Sequence, residues 1–225
     1  GRYGEIHRQV GQLSRDMNID KPRLMVADMG VPNAFAVGRR GAGVVVVSTE
    51  IIDLLDREEL KGVLAHELAH INNRDVVMML IGQSIAAMVG IAVQFAVLFG
   101  GERNIGSYIF AMIAGSIAQM IVSIFVLAIS RYREYVADSD AAQYTNNPDA
   151  MARALEKISQ GAKRRQQSSQ GLNQRGGRGR QQQQEKGTPD EVAALCIFEG
   201  DRGVLETIFS THPPVEKRIE KLRSY

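Results

Sequence analysis

The spacing of apolar positions changes several times along the chain. From Tyr3 to Met17, Ile6, Val10, Leu13 and Met17 recur at three- and four-residue steps, which predicts a helix with one buried face. His7 lies beside that face and reads as a surface or packing histidine. Pro22 opens a strand over Arg23–Asp28, Gly30 and Pro32 make a turn, and Asn33–Gly38 forms a second strand. A turn at Arg39–Gly43 leads to Val44–Val47, where four consecutive valines predict a strand buried on both faces. No helix follows those glycines at phosphate-loop spacing, so the turn reads as a hairpin. Ser48 is placed to cap a helix over Glu50–Leu55. Asp56 and Glu59 have capping-box spacing and open a helix through Leu60, Val63, Leu64 and Leu68.

Two long uncharged stretches follow. Val76–Gly101 and Asn104–Ser130 contain no Asp, Glu, Lys or Arg, and only Glu102 and Arg103 separate them. Each exceeds the ~20 residues a helix needs to cross a bilayer, so they predict a transmembrane helical hairpin rather than a buried core pair. Gln83, Gln94 and Gln119 are expected at its internal interface. Beyond it, helices are predicted over Arg133–Tyr144 and over Pro148–Ser159, the latter with an apolar face of Met151, Leu155 and Ile158. Residues 160–187 are rich in Gln, Gly, Arg and Ser and read as a disordered basic loop. Its Arg175–Arg180 run resembles an RGG element but lacks interleaved aromatics, so contact with anionic lipid is expected over RNA. A helix with Pro189 at its first position and a final helix over Pro214–Leu222 close the chain.

The organisation that emerges is α+β and mainly helical. A first part, 1–75, holds a helix, a small three-stranded sheet and the helix after Asp56. The hairpin, 76–130, is inserted, and a second part, 131–225, carries the C-terminal helices and the 160–187 loop. Composition changes this picture little. Mean hydropathy is −0.14 because the apolar hairpin is averaged with charged flanks, and a net charge of +2 offers no bulk field for nucleic acid. The single cysteine, Cys196, excludes an intramolecular disulfide and cysteine-rich zinc sites, and reads as a small buried residue. The chain opens at Gly1 without a cleavable signal peptide, as expected of a piece of a longer protein.

Candidate chemistry concentrates in His66-Glu67-Leu68-Ala69-His70. Residues four apart share a helix face, so His66 and His70 can bind one cation. Glu67 is turned away from ligation but can reach the attacking water as a general base. Two of the chain's four histidines fall at this spacing. A catalytic zinc needs a third protein ligand and an open position. The hairpin returns the chain to the same membrane face three residues before Glu134, which makes Glu134 the candidate. One turn on, Asp138 can accept the free ring N–H of a ligand histidine. The alternative is that Glu134 and Asp138 pair with Arg131 or Arg133. His212 is open between a rival ligand, an oxyanion donor and a loop residue stiffened by Pro213 and Pro214.

Four segments carry a resemblance: His66-Glu-Leu-Ala-His70, Asn33-Ala-Phe-Ala36, Glu134-Tyr-Val-Ala-Asp138 and Thr211-His-Pro-Pro with Arg218-Ile. Together they resemble the HtpX-type membrane zinc metalloproteases, relatives of the CAAX prenyl endopeptidases. The resemblance implies a zincin-like domain with one zinc per chain on His66, His70 and Glu134, Glu67 as base and Asp138 behind the ligands. It implies that Asn33, Ala34 and Phe35 lie on the edge strand that receives substrate, and that His212 and Arg218 lie near the cleft. It also implies two further membrane helices ahead of the first helix. Expected partners are polypeptides, especially damaged membrane proteins in quality control and stress response, and the lipid bilayer. Nucleic acid is not expected. Arg57, Lys61, Arg74, Arg131 and Arg133 lie on the active-site side of the hairpin and Arg103 alone on the other. The positive-inside rule then predicts a multi-pass protein of the cell membrane with its protease domain in the cytoplasm. The competing expectation is a membrane-anchored zinc-binding scaffold without protease activity.

Overall fold

A computed structural model describes residues 1–101, 104–175 and 213–225. Helix α1 (Arg2–Asp16) buries the Ile6, Val10 and Leu13 stripe, and Met17 at its C-cap completes that face. Strands β1 (Arg23–Ala27), β2 (Ala34–Arg39) and β3 (Ala42–Ser48) form one sheet in the order β1-β3-β2. β1 runs parallel to β3, pairing Arg23 with Val44 through Ala27 with Ser48, and β2 runs antiparallel, pairing Ala34 with Val47 through Arg39 with Ala42. The two-residue turn between β2 and β3 places Gly41 at φ +81°, a conformation that favours glycine. The valine run is covered unequally: Val45 and Val47 are fully buried, whereas Val44 and Val46 are half-buried. A central strand is hydrogen-bonded on both edges, but only one face of this sheet meets the helical core.

Helix α2 (Thr49–Leu54) is capped by Ser48, whose Oγ accepts from the Ile51 N–H at 3.1 Å. Helix α3 (Arg57–Asn73) opens with the predicted capping box: Asp56 accepts from the N–H groups of Glu58 and Glu59, and Glu59 returns a bond to the Asp56 N–H at 2.9 Å. Buried Glu59 also meets Lys157 at 2.6 Å, so the cap joins α3 to the later helices. α3 is the spine of the protein. Leu60, Val63, Leu64 and Leu68 enter the core with Val45, Val47, Met151 and Leu155. At Gly62 a built Cβ would stand 3.3 Å from the Cα of Met151, so glycine lets the next layer approach closely.

Arg74, at φ 58°, caps the C-terminus of α3 and starts α4 (Asp75–Gly100) at the next residue. α5 (Ile105–Thr145) returns alongside it. Ala86 and Gly90 on α4 and Ala111 and Gly115 on α5 are buried, and Gly90 faces Gly115. A Cβ on Gly90 would stand 2.9 Å from the carbonyl oxygen of Gly115, so the backbones nearly touch. Gln94 and Gln119 flank this contact, whereas Gln83 is exposed and departs from its expected interface position. Both helices are long and apolar enough to cross a membrane, and only 11% of each apolar window is buried. A soluble core pair would hide most of that surface. Phe99, Phe110 and Phe125 point outward instead.

Sequence periodicity separates the second apolar stretch from a helix over 133–144, but the structure joins them into one 41-residue helix. No glycine or proline interrupts it between Gly115 and Thr145, so nothing breaks the hydrogen-bond ladder where the chain becomes polar. Helix α6 (Pro148–Arg175) likewise extends past Ser159 into the segment read as disordered; the rest of the 160–187 loop lies outside the described residues, as does the helix predicted after Thr188. Helix α7 (Val215–Leu222) packs on α6 and α5, burying Val215, Arg218 and Leu222.

Candidate active site

The site forms where the C-terminal half of α3 meets the polar end of α5. His66 and His70 are one turn apart on α3, with their Nε2 atoms 3.1 Å from each other. Glu134 reaches in from α5, with Oε2 3.6 Å from His66 Nε2 and Oε1 3.4 Å from His70 Nε2. One donor atom from each of the three residues lies within 4.8 Å of the others. A tetrahedral zinc with donors at about 2.0–2.1 Å holds neighbouring donors roughly 3.3 Å apart, close to the 3.1, 3.4 and 3.6 Å approaches between these residues. The donor set, two imidazoles and a carboxylate, fits as well.

Each imidazole turns its other nitrogen toward a carboxylate. His66 Nδ1 lies 3.0 Å from Asp138 Oδ1, and His70 Nδ1 lies 2.6 Å from Asp75 Oδ2. Asp138 is in turn gripped by Arg218, whose Nε and one terminal nitrogen donate at 2.8 and 2.7 Å. The other terminal nitrogen lies 3.2 Å from Glu134 Oε2. Arg218 has no exposed surface. Sequence reading set it beside the cleft; the structure places it behind the carboxylates, where it braces them.

Electrostatics follow from this packing. Burial opposes protonation of His66, but the Asp138 and Glu134 carboxylates, 3.0 and 3.6 Å from its ring nitrogens, outweigh it and raise its pKa to about 9. Burial and the neighbouring charge of His66 push His70 down instead. Burial works against ionising Asp138, yet the Arg218 charge overcomes it and holds the carboxyl at about 2. Glu67, 4% exposed, raises the pKa of both His70 and Arg218, so its charge is felt at the centre of the site.

The structure therefore brings together His66, Glu67, His70, Glu134, Asp138 and Arg218. Asn33 and Ala34 are buried at the start of β2 and Phe35 is half-buried; the Asn33 N–H donates to Ser48 Oγ at 2.9 Å. β2 pairs with β3 on one side and lies against α3. His212 lies outside the described residues. Arg133, weighed as a partner for Glu134 and Asp138, binds Asp75 instead.

Asp75 is the residue that sequence reasoning missed. It stands five residues after His70, a spacing that in a continuous helix points well away from it. The left-handed turn at Arg74 swings it back. No local pattern announces that turn, because arginine is not a residue that favours positive φ.

The peptidase family M48 model matches residues 2–225. A protease HtpX homolog of Halobacterium salinarum is 56% identical, over 99% of this chain and 78% of that protein. One of Pyrococcus abyssi is 39% identical, over 97% of this chain and 72% of its own length. Among solved structures, Ste24p of S. mikatae superposes with a TM-score of 0.57 at 17% identity, covering 96% of this chain and 49% of that one, a likeness of fold. With the His66-Glu67-x-x-His70 helix, the returning Glu134 and a match along nearly the whole length, the chain belongs to peptidase family M48 and is a metalloprotease.

Proposed function

We propose that the chain is a zinc-dependent endopeptidase in which His66, His70 and Glu134 hold one zinc ion and Glu67 is the general base. The observation that carries this reading is the convergence of donor atoms, with the two Nε2 atoms 3.1 Å apart, Glu134 Oε1 3.4 Å from His70 and Oε2 3.6 Å from His66, and Glu67 on the same turn of α3. Zinc bound there supplies a Lewis acid that acidifies water and polarises a carbonyl. Glu67 takes the proton from the attacking water and passes it to the leaving amine, so one carboxylate serves both halves of the reaction. Asp138 holds His66 in the tautomer that presents Nε2, and Arg218 keeps Asp138 charged and in place. His212 is assigned to support of the developing oxyanion.

An extended polypeptide is bound along the edge of β2 at Ala34 and Phe35, beside Asn33, whose own main chain is bonded to Ser48, through main-chain hydrogen bonds that make few demands on sequence. Support comes from the place of β2 at the sheet edge and against α3. The hairpin α4–α5 spans the cell membrane, with the protease domain on the cytoplasmic side. Five basic residues flank its active-site end, Arg57, Lys61, Arg74, Arg131 and Arg133, against Arg103 at the other. Substrates are then damaged or unfolded membrane proteins reached at the cytoplasmic face.

Glu67→Gln tests the chemistry. It keeps the shape and removes the base, so zinc content should stay near that of the parent while casein cleavage falls by about two to four orders of magnitude. A zinc-loaded Glu67→Gln protein that cleaves as fast as the parent would refute Glu67 as the base and this mechanism with it.

A further inference from the structure

The two ligand histidines are backed in the same way, by a carboxylate on Nδ1 and an arginine on the carboxylate. For His66 the relay is Asp138 and Arg218. For His70 it is Asp75 and Arg133. The second relay uses no residue of the motif. Asp75 is the first residue of α4, and Arg133 lies on α5 next to Glu134. The two roots of the apolar hairpin therefore meet on one imidazole. Arg133 also donates to the Asn73 carbonyl oxygen at 2.6 Å, tying down the last turn of α3. Asp75 is 8% exposed, so water does not readily replace its partners.

We infer that Asp75 is a positioning residue for His70 and that Arg133 is its clamp, so the metal site is held from the membrane side by closure of the hairpin. An Nδ1–H donated to Asp75 leaves the Nε2 lone pair facing Glu134 and His66, the tautomer a ligand needs. The carboxylate also makes the imidazole a better donor toward a cation. Arg133 acts through Asp75: it fixes the rotamer of the carboxylate and holds α3, α4 and α5 at a common corner. This role rests on the zinc reading of His66, His70 and Glu134, and it adds a requirement that α4 and α5 be packed together for His70 to be aligned.

The experiment uses the full chain in detergent micelles, stripped with chelator and titrated with Zn2+ against a chromophoric competitor. Asp75→Ala should raise the zinc dissociation constant by about 10- to 100-fold. Cobalt-substituted Asp75→Ala should show an altered visible absorption band. Arg133→Met should shift affinity in the same direction by less, and Arg133→Lys should restore part of it. Asp140→Ala serves as control, because it removes the 2.8 Å bond that Asn73 donates to Asp140 at the same corner without touching His70. Affinity in that variant should stay within about twofold of the parent. Should Asp75→Ala not fold, Arg133→Met asks the question from the other end of the relay. Zinc binding in both variants equal to the parent, or an Asp140→Ala loss as large as theirs, overturns the clamp alone. A parent chain that binds no zinc overturns the metal reading and the clamp with it.

Discussion

Arg218→Met takes away a fully buried guanidinium while keeping much of the side chain's length. Arg218 makes two hydrogen bonds to Asp138, at 2.8 and 2.7 Å, and approaches Glu134 at 3.2 Å. Asp138 is 2% exposed, so solvent cannot take over. Breaking a buried pair from one side costs about 3–5 kcal/mol, because the other charge stays behind. The titration of Asp138 points the same way. A carboxyl at about 2 instead of 3.8 favours the folded state by roughly 2 kcal/mol at neutral pH. Since burial alone would raise that pKa, the cations around Asp138 contribute more than the net figure. The folded pKa is the depressed one, so this stabilisation is complete above about 3.8 and is lost as pH falls through that value toward 2. At about 2–4 °C per kcal/mol for a chain of this size, the midpoint of the metal-free protein at pH 7 should drop by roughly 10 °C. Thermal unfolding of the full chain in detergent, followed by circular dichroism, reads this directly. Adding Asp138→Leu should recover much of the loss, because an apolar pair leaves no stranded charge. A single variant within about 2 °C of the parent, or a double variant no better than the single, would refute the brace.

Zinc binding at pH 7.5 should release about one proton, because His66, at about 9 in the metal-free protein, must become neutral to ligate. Calorimetry in buffers of different ionisation enthalpy measures it, and a value near zero would contradict the charged His66. The same raised pKa stabilises the metal-free protein fully below 6.5, and that contribution fades as pH rises through about 9. Gly62→Leu should destabilise the domain by about 1–3 kcal/mol in denaturant titration, since its Cβ alone would sit 3.3 Å from the Cα and Cβ of Met151. Gly90→Leu should separate α4 from α5, because a Cβ there meets the Gly115 carbonyl oxygen at 2.9 Å; a disulfide between cysteines placed at Gly82 and Val126, where a Cβ on Gly82 would stand 3.7 Å from that of Val126, should then form less readily than in the parent.

The metal motif is readable because its geometry is local. His66 and His70 share a face by helical arithmetic alone, and the Asp56–Glu59 cap needs only four residues to declare itself. The uncharged stretches are equally plain, since length and composition decide whether a helix can sit in lipid. Glu134 was reachable by following the hairpin there and back. Family resemblance then named the residues that periodicity could not, among them Asn33 and Arg218.

What the sequence determined by itself is what short range and composition can encode: element type, caps, apolar spans and the two histidines of one helix turn. What only the tertiary structure decided is who stands behind them. Val44–Val47 reads as buried on both sides, but one-faced burial depends on where the helices pack. Asp75 belongs to His70 because a left-handed Arg74 folds the chain back on itself, and Arg133 belongs to Asp75 because α5 runs unbroken into the domain. Arg218 lies 80 residues beyond the Asp138 it grips. Buried charges choose partners by proximity in space, since desolvation penalises any left unpaired, and no spacing along the chain records that choice.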